Sequence, residues 1–361
     1  MAKTPNLKRL IVPAIFVAAL FAVVILRDRP TPADPAQVST FSGPTMGTVF
    51  TVKVVDGIED EAAEERVSRA ILGALDAVDR SMSTWREDSE IIAFNRAAAD
   101  EVFPVSEMLA MVVERALFVA GRSGGAFDPT VGPLVRAWGF GAEGLATPPT
   151  EDVLQDIQGR IGWRLVSLDR ARPGLVKSAR GVELDLSAIA KGFAVDRVFA
   201  VLRDLGHRNV MVEIGGEVRT GGQAPSGGPW RIGVETPGGV PGAVSQVVEL
   251  SDLSMATSGD YRNYREVDGQ RLSHTIDPRQ GHPIRHGLAS VTVIHESCME
   301  ADAWATALTV LGPEDGMALA EELGLAAYFI IRSDEGFVEQ SSSAFGNLLG
   351  TPIVVSDGRD S

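Results

Sequence analysis

Residues 182–196 change their period in mid-stretch, and few arrangements of backbone accommodate that change. Val182, Leu184 and Leu186 alternate as in a β-strand, whereas Ile189, Phe193 and Val195–Val198 recur at helical steps. Ser187 stands at the junction as a natural N-cap, so a strand is expected to end where a helix begins. Such a corner offers unpaired N–H groups and a positive dipole end, where phosphate binds readily. Asp185, Ser187 and Lys191 within seven residues suggest that a cation and a phosphate are handled together. Taken alone, the stretch is better described as an amphipathic unit with solvated polar residues, and other stretches change that balance.

The chain of 361 residues, 45% hydrophobic and 22% charged, has an ordinary globular composition and can form one or two domains. A formal net charge of −15 argues against a nucleic-acid partner. A polyanionic ligand would need local help from a metal ion or oriented amides. Cys298, the single cysteine, can form no internal disulfide, lacks neighbours at zinc-ligand spacing, and reads as a small buried hydrophobe.

Lys3, Lys8 and Arg9 precede an apolar run from Leu10 to Leu26, broken only by Pro13 and stopped by Arg27-Asp28-Arg29-Pro30. Roughly 17 apolar residues lie between a signal-peptide core and a full membrane span. No small-residue cleavage signal follows and no Cys is placed for lipidation. Residues 1–29 are therefore expected to be an uncleaved signal anchor in a bacterial inner membrane, with the body on the periplasmic side. Residues 30–41 read as a Pro/Ala-rich tether, 42–350 as the body and 351–361 as a tail.

Within the body, residues 41–48 read as a turn leading into a strand over 49–55. Glu59–Asp79 is expected to be a helix with Val67, Ile71, Leu75 and Val78 on its inner face. Asp88 should cap a short helix through Phe94, and Ser106 a longer one ending at Gly121. Strands are expected at Trp163–Leu168, Leu175–Ser178, Val210–Ile214, Trp230–Val234, Val247–Leu250 and Leu288–His295. A hairpin should turn at Asp268-Gly269. Helices at Glu300–Leu311 and Glu314–Leu323, then a hairpin of Ala326–Ile331 with Phe337–Gln340, close the fold. Many strands are consecutive, which points to an α+β fold with mixed or antiparallel sheets and flanking helices.

Asp302 and Thr306, four apart on one helix, would project oxygens from one face. Carboxylate, hydroxyl and backbone carbonyl suit Mg²⁺ better than zinc. Three glycines and two prolines between Gly124 and Pro133 form a loop where backbone can approach a ligand closely. Trp85 beside Arg86 could stack on a planar ring or simply edge the core.

Eight motifs stand in an order seen in one family: Met46-Gly47-Thr48, Ser83-Thr84-Trp85-Arg86, Gly125 to Gly132, Asp185 to Gly192, Glu213 to Glu217, Ala256 to Tyr261, Ser273 to Pro278 and Ala301 to Thr306. Over roughly residues 42 to 330 the chain resembles the ApbE family, the FAD:protein FMN transferases of the bacterial periplasm. The resemblance implies a Mg²⁺-dependent enzyme that moves FMN from FAD to a Thr or Ser hydroxyl of an acceptor protein and releases AMP. By position, Met46, Trp85, Ala126, Phe127, Asp128, Asp185, Lys191 and Ile276 would contact FAD. Asp302 and Thr306, with backbone oxygens of Ala188 and Ala305, would hold the metal. Implied acceptors are subunits of membrane redox complexes, such as the sodium-translocating NADH:quinone reductase or the Rnf type. Position 85 is often Tyr and position 191 is acidic in some relatives, so Lys191 could meet phosphate or ribose. Many members are anchored through an N-terminal Cys, which this chain lacks.

The reaction needs charge neutralised on phosphorus oxygens and an acceptor hydroxyl relieved of its proton. His274 is the candidate base, with a structural role across the hairpin as the alternative. Two other activities use the same parts: an FAD pyrophosphatase, with water as acceptor, and a non-catalytic FAD-binding protein.

Overall fold

The computed structural model describes residues 37–349, apart from 56, 141–147, 170, 239–242, 260–263 and 268–269. The expected anchor over 1–29, most of the tether, Asp260-Tyr261, the turn Asp268-Gly269 and the tail 351–361 lie outside the described residues. Among the described residues no helix is long and apolar enough to cross a membrane.

An eight-stranded sheet runs in the order Ser39–Thr45, Thr48–Val54, Val210–Ile214, Glu217–Gly221, Ser254–Gly259, Leu288–His295, Ala326–Ser333, Gly336–Ser341. Every neighbouring pair in it is antiparallel. Side-chain alternation sorts its faces. Ala256, Val291, Val293 and Phe329 join the main core, on the side of the helices Glu61–Met82, Ala190–Asp204 and Cys298–Leu311. Met255, Ile294, Tyr328 and Ile330 instead meet Val234, Val248 and Leu250 of a two-stranded hairpin, and Phe345 of the helix Ser343–Leu348. The result is antiparallel sheets with helices packed against them.

Between Glu217–Gly221 and Ser254–Gly259 the ladder is short. Only Ser254 with Arg219 and Met255 with Val218 are in register, and beyond them the strands part. The sheet is thus forked near its centre.

Helix Cys298–Leu311 is buried on nearly all sides, with Thr306 and Leu311 the partial exceptions. Its alanines at 301, 303, 305 and 307 keep it narrow enough to lie between the sheet and helix Ala190–Asp204. The two helices touch at Gly192. A Cβ there would lie 2.2 Å from the Cys298 carbonyl oxygen and 2.8 Å from Asp302 Cβ.

Several expectations are corrected. Val182, Leu184 and Leu186 are buried in alternation, yet the segment belongs to no sheet. Side chains replace the neighbouring strand: Asn95 donates to the Leu184 carbonyl at 2.9 Å and accepts from its N–H at 2.7 Å. The Lys177 ammonium donates to the carbonyls of Phe94, Asn95 and Val182. Ser187 is exposed and does not cap the helix. Ile189 holds the N-cap position without a side-chain bond, and the Gly192 N–H is satisfied by Asp302 from the neighbouring helix. Ser89, not Asp88, caps Glu90–Arg96, because Asp88 is held by Arg86. Residues 41–45 are strand rather than turn, Pro44 being tolerated on the edge of the sheet. Trp163–Leu165 is a 3-10 turn before the strand Val166–Leu168. The short helices Gly132–Ala137, Glu151–Gln158 and Ser343–Leu348 were not anticipated.

Candidate functional site

A cavity of about 1050 Å³ opens where the sheet forks. Its walls bring together Ala126, Phe127, Asp128, Asp185, Ala188, Lys191, His274, Ile276, Asp302 and Thr306, all nominated from the sequence. Met46, Trp85 and Ala305 are not part of the wall. Met46 occupies the tight turn between the first two strands at φ 46°. Trp85 is 71% exposed between two helices, and Ala305 is buried.

Each element presents its residue for a local reason. The turn Gly215-Gly216, at φ 62° and 107°, reverses the chain tightly enough for Glu213 and Glu217 to flank one end of the cavity. The Asp128 carboxylate is used to shape its own loop. It accepts from the Thr130 N–H at 2.8 Å, the Thr130 hydroxyl at 2.6 Å and the Trp163 N–H at 2.8 Å. Burial raises its affinity for a proton, and these donors oppose that. Asp185 accepts from the Ser187 N–H at 2.9 Å and forms the turn that turns Ala188 toward the same space. His274 is half-buried, with the Phe140 ring edge-on at 6.4 Å between centroids.

The charged centre is Lys191, Glu217 and Asp302. Lys191 Nζ donates to Glu217 Oε1 at 2.7 Å, and Asp302 Oδ2 accepts from the Gly192 N–H at 3.0 Å. Burial pushes Glu217 up to about 8, against the pull of Lys191 and with the Asp302 charge adding to it. Asp302 is raised by burial too, against Lys191 and the Gly192 N–H. Burial works against the Lys191 charge, but Glu217 and Asp302 together hold the ammonium above its ordinary value. Two buried carboxylates share one ammonium, so the cluster lacks positive charge.

That deficit suits a cation. Asp302 Oδ1 has no hydrogen-bond partner among the described residues, and Asp302, Thr306 and Ala188 line one cavity. Carboxylate, hydroxyl and carbonyl are hard oxygen donors that fit Mg²⁺. Among the described residues no three or more of His, Cys, Asp and Glu are grouped so as to hold a metal by themselves.

Glu217 was missed as a site residue, although it ends a motif read from the sequence. An acid opening a strand that is otherwise mostly buried was the available signal. Thr257, Ser258 and Arg231 also line the cavity without having been nominated.

A model of the ApbE family matches residues 46–329. The FAD:protein FMN transferase of Vibrio cholerae is 42% identical over 339 residues, covering 92% of this chain and 98% of the relative. That of Escherichia coli strain K12 is 35% identical over 340 residues, covering 93% and 96%. Among solved structures, the apo flavinyl transferase ApbE of Pseudomonas stutzeri superposes with a TM-score of 0.81 at 40% identity, covering 90% of this chain and all of that one. The match by family model, by length and by three-dimensional structure converges on one statement: this chain belongs to the ApbE family.

Proposed function

We propose that the protein is an FAD:protein FMN transferase, which cleaves the pyrophosphate of FAD and joins FMN through a phosphoester to a Thr or Ser of an acceptor protein. The observation that carries this reading is the gathering of Lys191, Asp302, Thr306 and Ala188 on one cavity, in a chain similar over nearly its whole length to proteins of that name. The cavity is slightly larger than the ~300–1,000 Å³ usual for small-molecule sites, in keeping with a dinucleotide.

Asp302, Thr306 and the Ala188 carbonyl would hold Mg²⁺. Bound there, the ion supplies charge neutralisation for the phosphorus oxygens and the departing AMP. Lys191 adds a second cation toward the diphosphate. His274 accepts the proton of the acceptor hydroxyl as its oxygen attacks the FMN phosphorus, and the bond to the AMP oxygen breaks with its electron pair. The loop Ala126–Asp128 and Ile276 wall off the flavin side from water. Trp85 and Met46 stand outside this wall and are assigned to FAD by the resemblance alone.

The acceptors are periplasmic segments of membrane redox subunits, and the body is held at the inner membrane by residues 1–29. This placement follows from the apolar run Leu10–Leu26. Incubation with FAD, Mg²⁺ and a Thr-containing flavinylation peptide tests the whole reading. Flavin covalently attached to the peptide with stoichiometric AMP upholds it. Free FMN and AMP alone identify a pyrophosphatase, and unchanged FAD identifies a binding protein.

A further inference from the structure

The residue at the crotch of the forked sheet is Glu217. It follows directly on the last registered pair, Met255 with Val218, and is 2% exposed where a sheet interior ordinarily carries an apolar side chain. Its Oε1 accepts from Lys191 Nζ at 2.7 Å. Its Oε2 is buried, and no group among the described residues bonds to it. Glu217 nevertheless lines the cavity, next to Lys191 and Val218.

A buried carboxyl oxygen without a hydrogen-bond partner is costly for a fold to keep, and such groups in native proteins call for a reason. The described residues supply no partner for it, while the cavity admits ligands that carry several hydroxyls. Lys191 needs a partner for a different reason. Its ammonium rides on a flexible four-carbon stem, and its side chain is 32% exposed toward the cavity. Pairing with Glu217 selects one direction for it before any ligand arrives, so less freedom is lost on binding.

We propose that Glu217 is a positioning residue for the bound nucleotide: one carboxyl oxygen fixes the Lys191 ammonium against the diphosphate, and the other hydrogen-bonds a sugar-chain hydroxyl beside it. The inference rests on the FAD reading above and adds to it a residue with two separable duties. The site is thereby specific for a diphosphate flanked by hydroxyls, the chemistry of a nucleotide rather than of inorganic pyrophosphate.

The experiment compares wild type, Glu217→Gln, Lys191→Met and the double variant in the full-length chain. Affinity for FAD, FMN, ADP and inorganic pyrophosphate is measured by calorimetry without divalent cation, beside kcat and KM for FMN transfer and the melting temperature. Glu217→Gln should weaken FAD about tenfold, leave pyrophosphate within about twofold of the Lys191→Met value, and lower kcat more than it raises KM. The double variant should bind FAD no more than about threefold more weakly than Lys191→Met, because the two residues act together. Loss shared with FMN places the hydroxyl on the ribityl chain, and loss shared with ADP places it on the ribose; both uphold the proposal. Fully multiplicative losses in the double variant overturn it. So does a Glu217→Gln protein with unchanged FAD affinity and kcat but a shifted melting temperature, which would make Glu217 a fold residue only. If wild type binds FAD without transferring FMN, the transferase reading fails while the binding arms still decide this one.

Discussion

Asp302 Oδ2 accepts a hydrogen bond from the Gly192 N–H at 3.0 Å, joining residues 110 positions apart at the closest approach of two helices. The relationship is reciprocal. Asp196, one turn along from Gly192, accepts from the N–H groups of Cys298 and Met299 at 3.0 and 3.1 Å, at the start of the helix that carries Asp302. Each helix therefore provides an anion for the first turn of the other, where the dipole favours it.

This double duty decides how Asp302 must be tested. Asp302→Ala would remove a cap together with the proposed metal ligand. Asp302→Asn keeps an oxygen for Gly192 and removes the charge. FMN transfer by Asp302→Asn should fall roughly a thousandfold, since stabilisation of the transition state is lost preferentially. FAD affinity should fall less than about tenfold, with the melting temperature within a few degrees of wild type. Transfer that persists in Asp302→Asn, or in wild type stripped by chelator, would remove the metal from the chemistry.

The pH dependence follows from Glu217. Its carboxyl is raised from 4.5 to about 8, chiefly by burial. Between those values the folded chain binds more protons than the unfolded one, so this contribution is fully present below about pH 4.5 and is lost as pH rises toward 8. The melting temperature of the metal-free protein should drop by a few degrees more across this window in wild type than in Glu217→Gln. Identical pH slopes in the two proteins would show that Glu217 keeps an ordinary carboxyl.

Gly192→Ala places a methyl group against the Cys298 carbonyl at a distance no side chain tolerates. The helices must separate, at a cost of about 3 kcal/mol, near the upper end for overpacked cores. Because Asp302 and Lys191 flank the contact, urea titration should show lost stability, and transfer measured well below the melting point should fall as well. A variant that is destabilised but fully active would separate the helix contact from the site.

Trp85, 71% exposed and outside the cavity wall, can be removed without touching the core. Trp85→Ala should leave the melting temperature unchanged. If the ring stacks on a bound flavin, FAD affinity falls about five- to tenfold, the worth of one aromatic contact. Unchanged affinity would return Trp85 to the ordinary exposed surface.

What the sequence made legible was whatever repeats locally. Val67, Ile71, Leu75 and Val78 announce the helix Glu61–Met82, and Ser106 announces the one it caps through the Leu109 N–H. The segment 182–186 shows where periodicity stops being enough. Its burial alternates as a strand's does, but its hydrogen bonds go to Asn95 and Lys177, which no local pattern reveals. The helix Glu151–Gln158 was missed because it buries only Leu154 and Ile157, too few positions to establish a period. In the site, Asp302 and Thr306 were readable because one helical turn separates them. Glu217 was not, because its partner Lys191 lies 26 residues away on another element.

The fork in the sheet has one more consequence. Beyond Met255, the strand Ser254–Gly259 has no neighbour on the side facing the cavity among the described residues, although Leu288–His295 pairs it along the other. An unpaired strand edge on the outside of a protein invites a second molecule to extend the sheet, and proteins blunt such edges with charge, proline or cover. Here the edge is internal. Its amides and carbonyls face the cavity, open to a ligand that enters the fork.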